Sequence, residues 1–160
     1  MGRRGNSPTH LVTDGGSPIL LLTGLGRWSL EANAGPNDRD GVVLIVDDDQ
    51  SIRETLELAL ELENRRTAQA ANGRAALEWL HHHEAPCLIL LDLMMPVMNG
   101  WQVIDHLQRD ERLSEIPVVV ISAFGRDLGT ATQFPVLRKP IELDTLLDAV
   151  NSYGCPRGTT

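Results

Sequence analysis

Three short, unbroken runs of apolar residues occur along the chain, at positions 42–46, 87–91 and 118–121. Each run stops at a polar side chain rather than fading into a mixed pattern. Continuous apolar runs of this length, bounded by turn residues, are typical of parallel strands that helices cover on both faces. The pattern therefore predicts a sheet whose central strands are fully buried.

Between these runs the apolar positions recur every three or four residues, which predicts amphipathic helices. The first helix carries Ile52, Leu56 and Leu60 on one face, and Ser51 with Glu54 has the spacing of a capping box at its start. Three more helices are predicted over residues 73–80, 101–109 and 142–151, and two weaker strands over residues 67–70 and 134–137.

Strands that alternate with helices imply right-handed βαβ crossovers. We therefore predict an α/β fold: a doubly wound, five-stranded parallel sheet in a three-layer αβα sandwich. This domain is expected over residues 41–153, followed by a flexible tail at 154–160. Residues 1–40 are rich in Gly, Pro, Asn and Ser without any period, which indicates a disordered extension. That segment is either a flexible leader, the product of a start codon assigned too early, or a docking peptide centred on residues 19–22.

The charge distribution limits the function. The net charge is −8, and the acidic excess lies after residue 40. An acidic domain is a poor match for nucleic acid, which needs a basic face against the phosphates. No stretch approaches the roughly 18 apolar residues that span a bilayer. We therefore expect neither nucleic-acid binding nor membrane insertion, and a cytoplasmic location.

The chain has two cysteines, too few for a disulfide framework. Cys87 lies within an apolar strand, so it is predicted to be a small buried hydrophobic residue. Cys155 lies in the tail, where no role is predicted for it.

Polar side chains with chemical potential follow the predicted strands: Asp47 and Asp48 the first, Asp92 the third, Ser122 the fourth and Lys139 the fifth. Parallel strands place their carboxyl ends at one edge of the sheet, so these groups should converge there. Crowded carboxylates favour a hard divalent cation, and Mg²⁺ takes oxygen ligands of this kind. Lys139 is the chain's only lysine, which suggests a need for a compact ammonium group at this edge.

Four segments, VLIVDDD, LLDLMMPVMNG, VVVISA and RKPIELDTLL, occur in this order. Together they resemble the receiver domain of bacterial two-component response regulators, which has a flavodoxin-like fold. The resemblance implies that Asp92 accepts a phosphoryl group. It also implies that Asp48 binds Mg²⁺ directly, Asp47 through water, and Met94 through its backbone carbonyl.

The same resemblance implies that Ser122 is the switch hydroxyl and that Lys139 contacts the phosphoryl group, with a cis bond before Pro140. Only 17 positions separate Ser122 from Lys139, fewer than the family pattern implies. The family's fourth helix, which lies between the fourth and fifth strands, is therefore expected to be shortened. Because the sequence ends at Thr160, no output domain is expected.

The expected function is that of a single-domain, monomeric response regulator. It would receive the phosphoryl group from a histidine kinase or a histidine phosphotransfer protein and signal to a downstream protein by contact. It would catalyse only its own phosphorylation and dephosphorylation. Two alternatives stay open: a degenerate receiver that acts as a phosphorylation-independent interaction module, and a Mg²⁺-dependent hydrolase with an aspartyl-phosphate intermediate.

Two further patterns have competing interpretations. His81, His82 and His83 suggest a metal site, but consecutive helical residues point in different directions, which favours a solvated helix end. Leu58 and Leu62 lie on the outer face of the first helix. They belong either to a kinase-docking surface or to a region partly buried against the sheet.

Overall fold

The computed structural model describes residues 40–123, 133–155 and 157. The elements are β1 (Asp40–Val46), α1 (Gln50–Leu62), β2 (Arg66–Ala70), α2 (Gly73–His82), β3 (Pro86–Asp92), α3 (Gly100–Arg109), β4 (Val118–Ser122), β5 (Val136–Arg138) and α4 (Leu143–Ser152). All neighbouring strands pair in parallel, in the order β2-β1-β3-β4-β5. The predicted doubly wound α/β fold is confirmed, with β3 in the centre of the sheet.

The central strands are buried on both faces, as their apolar runs predict. Every residue of β3 and β4 is buried. Along β3, Leu88 and Leu90 pack on the face covered by α1 and α4, whereas Ile89 and Leu91 pack on the face covered by α2 and α3. This alternation produces two hydrophobic cores, one on each side of the sheet.

The start of α1 differs from the prediction. The helix begins at Gln50, and the cap is Asp49, whose Oδ1 accepts hydrogen bonds from the amides of Ser51 at 2.8 Å and Ile52 at 3.4 Å. The predicted capping box of Ser51 with Glu54 is therefore wrong, because Ser51 already lies inside the helix. A capping box does form at α3, where the side chains of Asn99 and Gln102 each accept from the other's backbone amide.

Cys87 is buried as predicted, but the expectation that it is a lone hydrophobic residue is wrong. Cys87 and Cys155 form a disulfide, with their Cα atoms 5.3 Å apart. The end of α4 brings the chain back beside the beginning of β3, a contact that a sequence separation of 68 does not reveal. Cys155 is only 5% exposed, so this part of the expected flexible tail is buried.

Several predictions concern residues that the structure does not describe. The disordered extension lies outside the described residues except for Asp40, which begins β1. The shortened helix that is expected between β4 and β5 likewise falls on positions 124–132, outside the described residues. Within the described segments, no helix has both the length and the apolar content needed to cross a bilayer.

Candidate functional site

Three carboxylates converge at the carboxyl edge of the sheet. Asp92 is the last residue of β3, and Asp47 and Asp48 directly follow β1. Val46 is paired with Leu91, so the residues after them lie side by side. One oxygen from each of the three carboxylates lies within 4.8 Å of the others. Asp47 and Asp92 are buried whereas Asp48 is exposed, which leaves one side of the cluster open to solvent.

Lys139 reaches the same edge from the end of β5. The register of β5 against β4 pairs Ser122 with Arg138, and the Lys139 amide donates to the Ser122 carbonyl at 3.0 Å. The Lys139 side chain then places its Nζ 2.7 Å from Asp47 Oδ2 and 3.5 Å from Asp92 Oδ1. The bond between Lys139 and Pro140 is cis, as the family resemblance implies. One ammonium group therefore lies beside two buried carboxylates.

The electrostatics of Asp92 reflect its burial. Burial raises the pKa of Asp92, and the neighbouring charge of Asp47 raises it further. The charge of Lys139 and a hydrogen bond donated by the Met94 amide act in the opposite direction but do not restore the ordinary value. The ionised carboxylate is therefore held in an unfavourable environment, where an added positive charge has a large effect.

Lys139 is held in its charged form. Burial alone would lower the pKa of Lys139, but the hydrogen bond to Asp47 and the charges of Asp92 and Asp47 more than offset it. The net result is that the pKa of Lys139 is raised above its ordinary value. The site therefore keeps a fixed ammonium beside its two buried carboxylates at neutral pH.

Asp47 is fixed by contacts on all sides. Its amide donates to the Ala70 carbonyl at 3.2 Å, and its Oδ1 accepts from the Asp49 amide at 2.9 Å. The Arg53 guanidinium on α1 donates to the Asp47 backbone carbonyl at 2.8 Å and to Gln69 Oε1 at 3.1 Å. The sequence analysis missed Arg53, because its target is a backbone atom that no side-chain pattern marks.

The loop after β3 packs tightly against the backbone of Asp92. A Cβ atom on Gly100 would lie 2.5 Å from the Asp92 carbonyl oxygen and 2.8 Å from Leu93 Cα. The Gly100 amide donates to the Leu93 carbonyl at 3.0 Å. Only a residue without a side chain permits this approach, so Gly100 lets α3 begin directly against the strand end.

Ser122 is the last residue of β4, as the sequence predicts, and Met94 lies in the loop two residues beyond the end of β3. Ser122 is 3% exposed at the end of β4, one residue beyond the position that pairs with Asp92. Met94 has an exposed side chain, and its amide donates to the Asp92 carboxylate. The role of the Met94 carbonyl as a metal ligand stays a prediction.

The oxygen donors fit a hard divalent cation. The three carboxylates offer oxygen ligands only, and the exposed side of Asp48 leaves room for water, which Mg²⁺ retains in most protein sites. Within the described part of the chain, this is the one group of three potential metal ligands. His81, His82 and His83 form no such group, and the ring of His83 stacks on Trp79 with centroids 4.5 Å apart.

The outer face of α1 is exposed. Leu58 and Leu62 have 59% and 74% of their surface accessible. The interpretation that they are partly buried against the sheet is therefore wrong.

Known proteins are similar to this chain over different shares of their own length. The chain is 38% identical over 120 residues to sporulation initiation phosphotransferase F of Bacillus subtilis, covering 69% of this chain and 91% of that protein. It is 33% identical over 115 residues to the DNA-binding dual master transcriptional regulator RpaA of Synechocystis, covering 69% of this chain. The matched region spans only 47% of RpaA, about half of its length.

A solved structure and a family model agree with the fold. The chemotaxis protein CheY4 of Vibrio cholerae superposes with a TM-score of 0.64 at 26% identity, covering 70% of this chain and 97% of that one. Residues 43–151 match the model of the response regulator receiver domain. The chain therefore belongs to the receiver domain family of two-component response regulators.

Proposed function

We propose that this receiver accepts a phosphoryl group on Asp92 from a phosphohistidine of a histidine kinase or a histidine phosphotransfer protein. The observation that carries the proposal is the convergence of three carboxylates at the carboxyl edge of the sheet, with one ammonium beside the two buried ones. Receiver domains generally bind Mg²⁺ at such an acidic cluster. Here Asp48 and Asp92 would bind the ion directly, Asp47 through water, and Met94 through its carbonyl.

The proposed reaction is a direct transfer. An Asp92 carboxylate oxygen attacks phosphorus while the bond from phosphorus to the donor's imidazole nitrogen breaks, and the imidazole leaves with the electron pair and takes up a proton. Such a loose transition state needs positioning and charge neutralisation more than covalent help. Bound Mg²⁺ would supply part of that neutralisation. Lys139, held 3.5 Å from Asp92 by its hydrogen bond to Asp47, is placed to supply the rest.

The phosphorylated state is proposed to be read by Ser122 and Lys139. Both lie at the strand ends beside Asp92, so each can contact a phosphoryl oxygen and pull on the loop that follows it. The output is proposed to be contact with a downstream protein, made by a monomer in the cytoplasm. The likeness to sporulation initiation phosphotransferase F, a protein named for phosphoryl transfer, supports a role in a phosphorelay. No other substrate is proposed.

The test is phosphorylation with a small phosphodonor, acetyl phosphate, in the presence of Mg²⁺. Intact mass spectrometry of the wild-type chain should show one added phosphoryl group, and Asp92→Asn should show none. Asp105→Asn is the matched control, because Asp105 is an exposed carboxylate paired with Arg109 on α3. It should label like wild type.

Two results would contradict the proposal. If no label forms on the wild-type protein, the chain acts as an interaction module that does not depend on phosphorylation. If phosphate is released continuously from an added phosphate ester, the site is that of a hydrolase with an aspartyl-phosphate intermediate.

A further inference from the structure

The disulfide between Cys87 and Cys155 has no part in the phosphoryl chemistry. Cys87 lies near the beginning of β3, whereas Asp92 ends that strand at the opposite edge of the sheet. Cys155 lies three residues beyond α4, and the chain contains no third cysteine. The two residues are 68 positions apart in sequence and yet 5.3 Å apart between their Cα atoms. The fold therefore brings together the only thiol pair that the chain can form.

The inference rests on the proposed function in one respect, because the proposed function places this cysteine pair in a reducing environment. A histidine kinase obtains its phosphoryl group from ATP inside the cell, where thiol pools keep most cysteines reduced. Intracellular disulfides in such a setting are mostly transient and redox-sensing. A pair that is close enough to bond there is expected to cycle rather than to stay oxidised.

Few of the described backbone hydrogen bonds hold the segment after α4 that carries Cys155. Among the described contacts, the backbone of this segment is held by the Arg65 guanidinium, which donates to the Cys155 carbonyl, and by the Gly154 amide, which donates to Asn151 at 3.1 Å. A segment with so few backbone hydrogen bonds is expected to open at low free-energy cost. Cys87 and Cys155 are only 1% and 5% exposed, so this local opening is what would admit a reactant to the sulfurs.

Arg65 gives the segment a defined closed position. Its side chain is buried, and it also donates to the Asn151 side chain at the end of α4. Burial lowers the pKa of Arg65, and the nearby charge of Arg157 lowers it further. A buried guanidinium is stabilised by the acceptors that it reaches, and two of these are the Cys155 carbonyl and the Asn151 side chain.

We propose that Cys87 and Cys155 are a reversible oxidation site that exchanges with low-molecular-weight disulfides such as oxidised glutathione. The Cys155 thiolate attacks one sulfur of the small disulfide, which forms a mixed disulfide and releases one thiol. The Cys87 thiolate then attacks the Cys155 sulfur and releases the second thiol. Two electrons pass from the cysteine pair to the small disulfide, and the two protons lost by the cysteines end on the two released thiols.

The consequence of oxidation is a covalent link between the segment after α4 and the central strand. Closing a loop of this length restricts the unfolded chain, and the equilibrium constant for unfolding should fall by roughly a thousandfold. The acidic edge is untouched, since the link lies at the other end of β3. Oxidation should therefore alter stability strongly while the phosphorylation rate of Asp92 changes less than about twofold.

The experiment is a glutathione titration of the full chain. The protein is equilibrated at a series of ratios of reduced to oxidised glutathione, and the exchange is then quenched in acid. The chain is unfolded and labelled with a maleimide-linked polymer, which slows the protein on a gel by one step for each free thiol. The expected result is a monomeric, doubly unlabelled species that increases with oxidised glutathione and gives the same curve from reduced and oxidised starting material. Cys155→Ser, the matched control, should leave Cys87 free and abolish that species.

Two outcomes overturn the inference. A bond that persists at every ratio is a permanent structural disulfide, and two thiols that stay free at every ratio in a folded chain exclude the site. Wild type and Asp92→Asn are titrated in parallel, and labelling with acetyl phosphate is measured separately. If the cysteine pair of the wild-type chain cycles but the chain takes up no phosphoryl group, only the proposed function is refuted. If the wild-type chain is phosphorylated but its cysteine pair does not cycle, only the oxidation site is refuted. Intact mass of the wild-type chain, lighter by two hydrogens when oxidised, confirms the bond without any variant.

Discussion

Lys139 lies closer to Asp47 than to Asp92, with Nζ 2.7 Å from Asp47 Oδ2 and 3.5 Å from Asp92 Oδ1. Asp47 therefore holds the ammonium in place, and Asp92 keeps a carboxylate that is only partly compensated. Burial therefore raises the pKa of Asp92 even though a lysine lies beside it, because the charge of Lys139 does not fully offset the burial. In the proposed function, Asp47 would position the ammonium and Asp92 would react.

Replacing Asp92 should change how stability depends on pH. The folded-state pKa of Asp92 is raised above its ordinary value of 3.8, mainly by burial. Its contribution to stability is therefore fully present below pH 3.8 and is lost as the pH rises through the folded-state pKa. In metal-free buffer, the free energy of unfolding of Asp92→Asn should increase relative to wild type over that interval.

Denaturant titrations between pH 4 and 8 measure this difference, with exposed Asp148→Asn as the control that should follow wild type. If the difference in free energy of unfolding between Asp92→Asn and wild type is the same at every pH, burial of Asp92 does not raise its pKa in the folded state.

Removing the ammonium should slow the chemistry. Lys139→Met takes away the positive charge nearest the reacting oxygen, and loss of one such group typically costs about a hundredfold in rate. Lys139→Arg keeps the charge but replaces a compact group with a planar fork, so it should restore only part of the rate.

Initial rates of labelling with acetyl phosphate and Mg²⁺ give the comparison, and melting curves check that each variant is folded. If Lys139→Met labels at the wild-type rate, Lys139 takes no part in the reaction.

Magnesium should stabilise the folded chain. An ion that binds only the folded state at ten times its dissociation constant adds about 1.4 kcal/mol to the free energy of unfolding. Asp48→Asn removes the exposed carboxylate of the cluster and should reduce this gain.

Thermal melting with and without millimolar Mg²⁺ measures the effect. If Asp48→Asn shows the same gain as wild type, the ion binds elsewhere.

The cap of α1 should belong to Asp49 rather than to Ser51. Asp49→Ala removes the acceptor for two helix amides, which should lower the free energy of unfolding by about 1 kcal/mol. Asp49→Asn keeps an acceptor oxygen while it removes the charge, so it should retain most of the stability. Ser51→Ala should stay within about 0.5 kcal/mol of wild type. Urea denaturation of the three variants separates capping from charge, and a larger loss in Ser51→Ala would restore the capping box that the sequence suggested.

Gly100 should tolerate no side chain. The methyl group of Gly100→Ala would meet the Asp92 and Leu93 backbones at 2.5 and 2.8 Å, which should cost about 1–3 kcal/mol and displace Asp92. Gly73→Ala is a matched control, because its methyl group would meet Met98 and Val103 instead. Both variants should melt earlier, but only Gly100→Ala should also label more slowly per folded molecule. Equal labelling of the two variants would separate Gly100 from the site.

The sequence was most informative where one residue type carries one meaning. Unbroken apolar runs predict buried parallel strands, and parallel strands place Asp47, Asp92 and Lys139 at the same edge without any knowledge of distances. It was least informative where two local solutions compete or where the partner is distant. Asp49 and Ser51 are both good caps, and only the backbone conformation selects between them.

Long-range contacts were missed for a related reason. The pairing of Cys87 with Cys155 depends on where the last helix ends on the sheet, and spacing along the chain does not encode that position. Arg53 was missed because it binds a main-chain oxygen, and every residue has one.

The seven residues of β3 carry sulfur chemistry near one end and a carboxylate at the other. Since every one of them is buried between β1 and β4, the strand behaves as a fixed spacer rather than as a lever. The proposed phosphorylation and the proposed thiol oxidation would thus act at opposite ends of one strand. Substitutions at positions 87 and 155 alone would therefore remove the thiol pair and leave the acidic edge intact.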